Sequence, residues 1–135
     1  MSELTNFYDN LMGAVSASDG DRVRDLIDPS FVMYNDPSMP YGGVYHGVEE
    51  FLAMLGVVYT TWRDSKLENL HLLEDATGEN ITLVMKLAGH PGKCDDWTEA
   101  IVNSLWTVRD GKAVEARIWF WDATRLSKLI LDGKA

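Results

Sequence analysis

Asp36 stands where a short apolar run, Phe31 to Asp36, meets Pro37. A carboxylate there has two uses: it can take a proton as a general base, or it can start an Asx turn leading into the proline. Tyr34 lies two residues earlier, so strand alternation puts its phenol on the same face as Asp36. In a later run, Ala100, Val102, Ser104 and Trp106 alternate on one face. The Ser104 hydroxyl could donate a hydrogen bond to an oxyanion. In the last run Arg117, Trp119 and Trp121 fall together. A guanidinium among indoles can bind a carboxylate or an enolate, stack on a ring, or simply pair with a surface acid. Trp62 closes a long helical stretch. Five tryptophans suit either a pocket for a flat or cyclic ligand or a plain core.

Other chemistry is weaker. His46 precedes Gly47 in a turn, where it is either an acid–base group or a solvated surface residue. His71 and His90 are far from it, and no two histidines stand at i, i+2 or i, i+4, so no metal site is expected. Cys94 is the single cysteine, so neither an internal disulfide nor a C-x-x-C motif can form. There is no nucleophile elbow.

Composition excludes several classes. Twelve basic against twenty-one acidic residues leave a net charge of −9. Phosphate backbones and anionic lipid surfaces would be repelled, so neither nucleic acid nor membrane is an expected partner. With 135 residues, 46% hydrophobic and 24% charged, the chain suits one globular domain with a real core. No signal peptide or membrane-spanning run is read, and a reducing, cytoplasmic setting is expected.

The elements that must position these residues follow from periodicity. Leu4, Phe7, Tyr8, Leu11, Met12 and Val15 share one helix face, with Ser2 as a cap. A short helix is expected over Asp21–Ile27, a strand over Phe31–Asp36, a loop over Pro37–Gly43, and a long helix from Val48 to Trp62. The period then changes to two. Strands are expected over Lys66–Glu74, Asn80–Ala88, Trp97–Val108 and Val114–Trp121, with a loop at Gly89–Gly92 and a hairpin at Arg109-Asp110-Gly111. Ala123–Leu131 is a last helix, capped by Asp122. Helices and strands are segregated, which indicates α+β with an antiparallel sheet.

Three features carry a resemblance: Tyr34-Asn35-Asp36-Pro37 followed by Gly42-Gly43 and His46-Gly47, the hairpin around Asp110-Gly111-Lys112, and Ala116 to Asp122 running into a helix. In this order they resemble the nuclear transport factor 2-like superfamily, in its SnoaL-like and ketosteroid isomerase-like branch, over nearly all of residues 1–135 as a single domain. The resemblance implies an α+β roll, a cone-shaped curved sheet wrapped by helices around a deep apolar pocket, and a homodimer. It likens Asp36 to the isomerases' general base, which an apolar cone would desolvate. It puts Trp119 where SnoaL-like cyclases carry a catalytic acid, and leaves Asp122 as a structural cap. It also puts neutral residues near Val102 and Ser104, where the epoxide hydrolases need an Arg and an Asp.

The expected pocket face joins Ser104 and Trp106 with Arg117, Trp119 and Trp121, while Trp62 and His46 stand at its margins. Two functions fit. One is a cofactor-free enzyme doing acid–base chemistry (isomerisation, cyclisation or dehydration) on a small hydrophobic cyclic or carbonyl substrate. Asp36 would be its base, and Tyr34, Ser104 or Arg117 its oxyanion donor. The other is a non-catalytic ligand-binding or dimerisation module of the same fold.

Overall fold

The computed structural model describes residues 2–135. Its elements are α1 (Glu3–Ser16), α2 (Gly20–Leu26), β1 (Ile27–Asn35), β2 (Gly43–His46), α3 (Gly47–Thr61), β3 (Trp62–Glu74), β4 (Asn80–Pro91), β5 (Thr98–Arg109), β6 (Lys112–Phe120) and α4 (Ala123–Asp132). The architecture is α+β. Six strands form one open sheet in the order β2-β1-β6-β5-β4-β3. The sheet is mixed: β1 and β6 run parallel, while every other pair is antiparallel.

Local sequence explains most of the elements. The Ser2 side chain accepts the Thr5 N–H at 3.0 Å, capping α1, and Leu4, Phe7, Tyr8, Leu11 and Ala14 form its buried face. In β4 and β5 burial alternates with the strand period, so Ile81, Leu83, Met85 and Leu87 face the same side as Ala100, Val102, Ser104 and Trp106. α1 and α3 pack over this inner side. Phe31, Phe51 and Trp106 meet there, with ring centres 5.5 to 6.0 Å apart. Such aromatic packing dominates the energetics of a small core.

Several local readings change. Gly43–His46 is a strand, too short to show a period and formed because β1 offers it a partner through Asn35↔Gly43. Gly89-His90-Pro91 continues β4 rather than looping. Gly89 is needed there because a Cβ would lie 2.8 Å from the Arg63 carbonyl oxygen on the irregular stretch of β3. The strand before Pro37 ends at Asn35, one residue short of Asp36. Asp122 precedes α4 but makes no side-chain cap, because its backbone is left-handed (φ 58°) rather than extended as a capping residue requires. The helix starts instead from its carbonyl, which accepts the Leu126 N–H at 3.1 Å.

Register interruptions in β3–β4 and β5–β6 bend the sheet around the core. The β5–β6 interruption decides the site. Arg109 pairs with Lys112 and Val108 with Ala113, but Thr107 pairs with Glu115. Val114 is therefore an extra residue, and beyond it every β6 side chain points to the opposite face from the one counted from the hairpin.

Candidate ligand cavity

The cavity lies between the inner sheet face and helices α1 and α3. Met33 and Asn35 come from β1, Val102, Ser104 and Trp106 from β5, Ile118 and Phe120 from β6, and Tyr8, Phe51 and Leu55 from the helices. Its inner chamber has about 90 Å³ of free volume. A wider groove of about 570 Å³ adjoins it, and Tyr8, Met12, Tyr59 and Leu67 line both. The rest of the groove is Val15, Ser16, Ser18, Ser65 and Asn69.

The walls are mostly apolar, with two exceptions at depth. Asn35 is 4% exposed; its Nδ2 donates to Met54 Sδ at 3.4 Å, and its Oδ1 has no partner. Ser104 is 1% exposed and its Oγ also has none. A buried polar atom left unpaired is costly, so each needs an explanation. Tyr8 is satisfied, donating to Met85 Sδ at 3.3 Å. Burial pushes the Tyr8 phenol well above its ordinary range, with smaller contributions from Tyr59 and Asp9, and burial also raises Tyr59. These phenols are the only ionisable side chains lining the cavity among the described residues, and both are neutral at physiological pH.

The sequence-derived site residues divide between the two faces. Ser104 and Trp106 line the cavity. Arg117, Trp119 and Trp121 do not: the Val114 bulge turns Ile118 and Phe120 inward in their place. Trp119 is 45% exposed and Trp121 77%. Arg117 instead stacks on Tyr34, 4.1 Å from the ring centre, and reaches Glu115 at 3.2 Å. Tyr34 is outward because β1 turns Phe31, Met33 and Asn35 inward. Asp36 also lies outside the cavity walls, in a shallow outer cleft with Tyr34, Val44, Arg117 and Trp119.

Both carboxylate oxygens of Asp36 have partners. Oδ1 accepts the Ser38 N–H at 2.9 Å, which is the Asx turn, and Oδ2 accepts the Phe120 N–H at 3.1 Å, tying the loop to the end of β6. The loop folds back so tightly that a Cβ on Gly42 would sit 2.0 Å from the Asp36 carbonyl oxygen. Trp62 is wholly buried and donates its indole N–H to Tyr41 Oη at 3.0 Å, away from the cavity. His46 is exposed, with its backbone N–H on Glu50 Oε1 at 3.0 Å.

Asn35 and Tyr8 are the cavity residues that sequence reasoning passed over. Tyr8 reads as core, and it is core that also forms a cavity wall. Asn35 had a signal: it continues the Phe31, Met33 alternation, which places it inward and its neighbours outward.

An open curved sheet holding an apolar cavity under its helices defines a nuclear transport factor 2-like protein. One solved structure, an NTF2-like protein of unknown function from Burkholderia pseudomallei K96243, superposes with a TM-score of 0.82 at 22% identity, covering 97% of this chain and 99% of the other. TerC co-crystallized with polyporic acid matches at a TM-score of 0.75 and 16% identity, over 89% and 92% of the two chains. A ketosteroid isomerase-like protein from Catenulispora acidiphila DSM 44928, in complex with trimethylamine, gives 0.73 and 10%, over 96% and 93%. No curated protein sequence matches the chain. The model of the SnoaL-like domain matches residues 5–116, and the chain belongs to that family. Among the described residues, no helix is long and apolar enough to cross a membrane.

Proposed function

We propose that this SnoaL-like protein is a non-catalytic binding module for a small hydrophobic cyclic molecule. One observation carries the reading: among the described residues the cavity walls hold no carboxylate, histidine, lysine or arginine, and their two phenols stay protonated. Proton abstraction near neutral pH needs a group that can accept the proton, and none lines the chamber. Binding needs only concave apolar walls and a few polar contacts, and these are present. Two structural relatives hold small molecules, polyporic acid in one and trimethylamine in the other, which is in keeping with a small ligand here. No cofactor enters the proposal, and the free, buried Cys94 suits a reducing cytoplasm.

The acid–base reading runs through Asp36, which the outer cleft brings together with Tyr34 and Arg117. Calorimetric titration of the wild type and Asp36→Asn with small cyclic ketones separates the two. Equal affinities without turnover are expected. Turnover that disappears in Asp36→Asn would replace binding with catalysis.

A homodimer through the outer sheet face belongs to the same proposal. That face exposes Val44, Ile101 and Trp119 around Arg117 and Glu115, an apolar patch with both charges that a second copy can match. Sedimentation should give a dimer that Trp119→Lys converts to monomer; a monomeric wild type would remove this part.

A further inference from the structure

The cavity's polar atoms and the missing charges along its approach constrain the ligand further. This inference rests on the binding reading above. The chain has 33 charged residues, twelve basic and twenty-one acidic, and among the described residues none lines the inner chamber or the wider groove that adjoins it. An ion entering would lose its water and meet no counter-charge, a cost that weak apolar contacts do not offset. A neutral molecule meets no such barrier. Ser16, Ser18, Ser65 and Asn69 give the groove polar but uncharged walls.

At the inner end Asn35 Oδ1 and Ser104 Oγ remain unpaired. They belong to one lateral row of the sheet, since both residues pair with Ile118 on the strand between them. Two strand spacings, about 10 Å, separate their backbones. An apolar ring resting over Ile118 can present one edge to each. Their chemistry differs. An amide oxygen only accepts, and one of the two amide N–H groups already goes to Met54 Sδ. The partner of Oδ1 must therefore be a donor. The Ser104 hydroxyl can donate or accept.

We infer that the cavity selects an uncharged cyclic molecule bearing a hydroxyl group that donates to Asn35 Oδ1, with Ser104 free to meet a second oxygen. Asn35 is then the residue that sets specificity, and its unpaired state in the free protein is what the ligand relieves. An otherwise similar ligand that lacks a donor leaves this atom unpaired, as it is in the free protein, and forgoes that gain.

Three probes of one shape test this by calorimetry: toluene, p-cresol and p-toluate. p-Cresol should bind the wild type about tenfold tighter than toluene, the size expected of one buried hydrogen bond. p-Toluate should bind far more weakly than either. Asn35→Leu should abolish the p-cresol advantage over toluene and raise the melting temperature by removing the orphan atom. Equal wild-type affinities for toluene and p-cresol would overturn the inference and leave the binding reading standing. So would p-toluate binding as tightly as p-cresol, or a p-cresol preference that survives in Asn35→Leu. No binding of any probe would remove the binding reading and this inference together. The wild-type ranking needs no variant, so a poorly folding Asn35→Leu does not rescue the idea.

Discussion

The two faces of β6 differ in charge, exposure and bonding. On the inner face Ile118 and Phe120 join Ser104 and Trp106 in a chamber free of charge, where two polar atoms stand unpaired. On the outer face, one residue away along the same backbone, Arg117 stacks on Tyr34 and pairs with Glu115, and Trp119 is half in solvent. Functional-looking side chains therefore gather on the outside, satisfied by one another. The inner face looks plain in sequence and is incomplete in structure. In the cavity the mark of a site is the pair of unpaired buried atoms, Asn35 Oδ1 and Ser104 Oγ, while Asp36 and Arg117 on the outer side already have partners within the fold.

Deleting Val114 should break this contrast most severely. The hairpin register would then carry through β6 and aim Arg117 and Trp119 at the core. Burying an unpaired guanidinium costs at least about 3–5 kcal/mol, so loss of cooperative folding by circular dichroism is expected. A deletion that folds with native stability would mean the bulge is not what assigns the faces.

The tryptophans sharpen the contrast at the next level. Trp106→Ala empties a space packed against Phe31 and Phe51 and should lower stability by about 3–5 kcal/mol in urea titrations. Trp119→Ala, measured at protein concentrations low enough to keep copies apart, should change it by about 0.5 kcal/mol or less. Similar losses at the two positions would deny the difference between inside and outside.

The smallest effect lies far from both faces, in the β3–β4 turn. Hydrogen bonds from the Thr77 hydroxyl and the Asn80 side chain hold the Asp75 carboxyl below the ordinary carboxylate range. A depressed folded value means the stabilisation is complete above the unfolded carboxylate value near about 4 and fades as pH falls through the folded value. Asp75→Asn should therefore lower the melting temperature slightly at pH 7 and leave it unchanged near pH 2. An equal loss at both pH values would show that the charge is not what matters there.

Much of the fold was legible because burial imposes a period. The α1 face, the long apolar helix α3 and the alternation of β4 and β5 could be read from spacing, and the α+β class followed from their order. The cavity was half legible. Ser104 and Trp106 sit on a strand whose face is set by its own alternation. Asn35 was available from the same rule applied to Phe31 and Met33, but Tyr34 and Asp36 drew the chemistry to the wrong parity. The parallel pairing of β1 with β6 left no local trace, since the two strands lie far apart in the chain.

By itself the sequence determined the class of fold, the acidic surface and which residues of each strand travel together, since these depend on composition and near-neighbour spacing. Only the tertiary structure decided which set faced the cavity. A single extra residue at Val114 inverts β6, and the partner strand rather than the bulged one shows where that residue lies. The role of Asp36 was decided the same way. Its second hydrogen bond comes from Phe120, 84 residues on, and no pattern around Pro37 carries that contact.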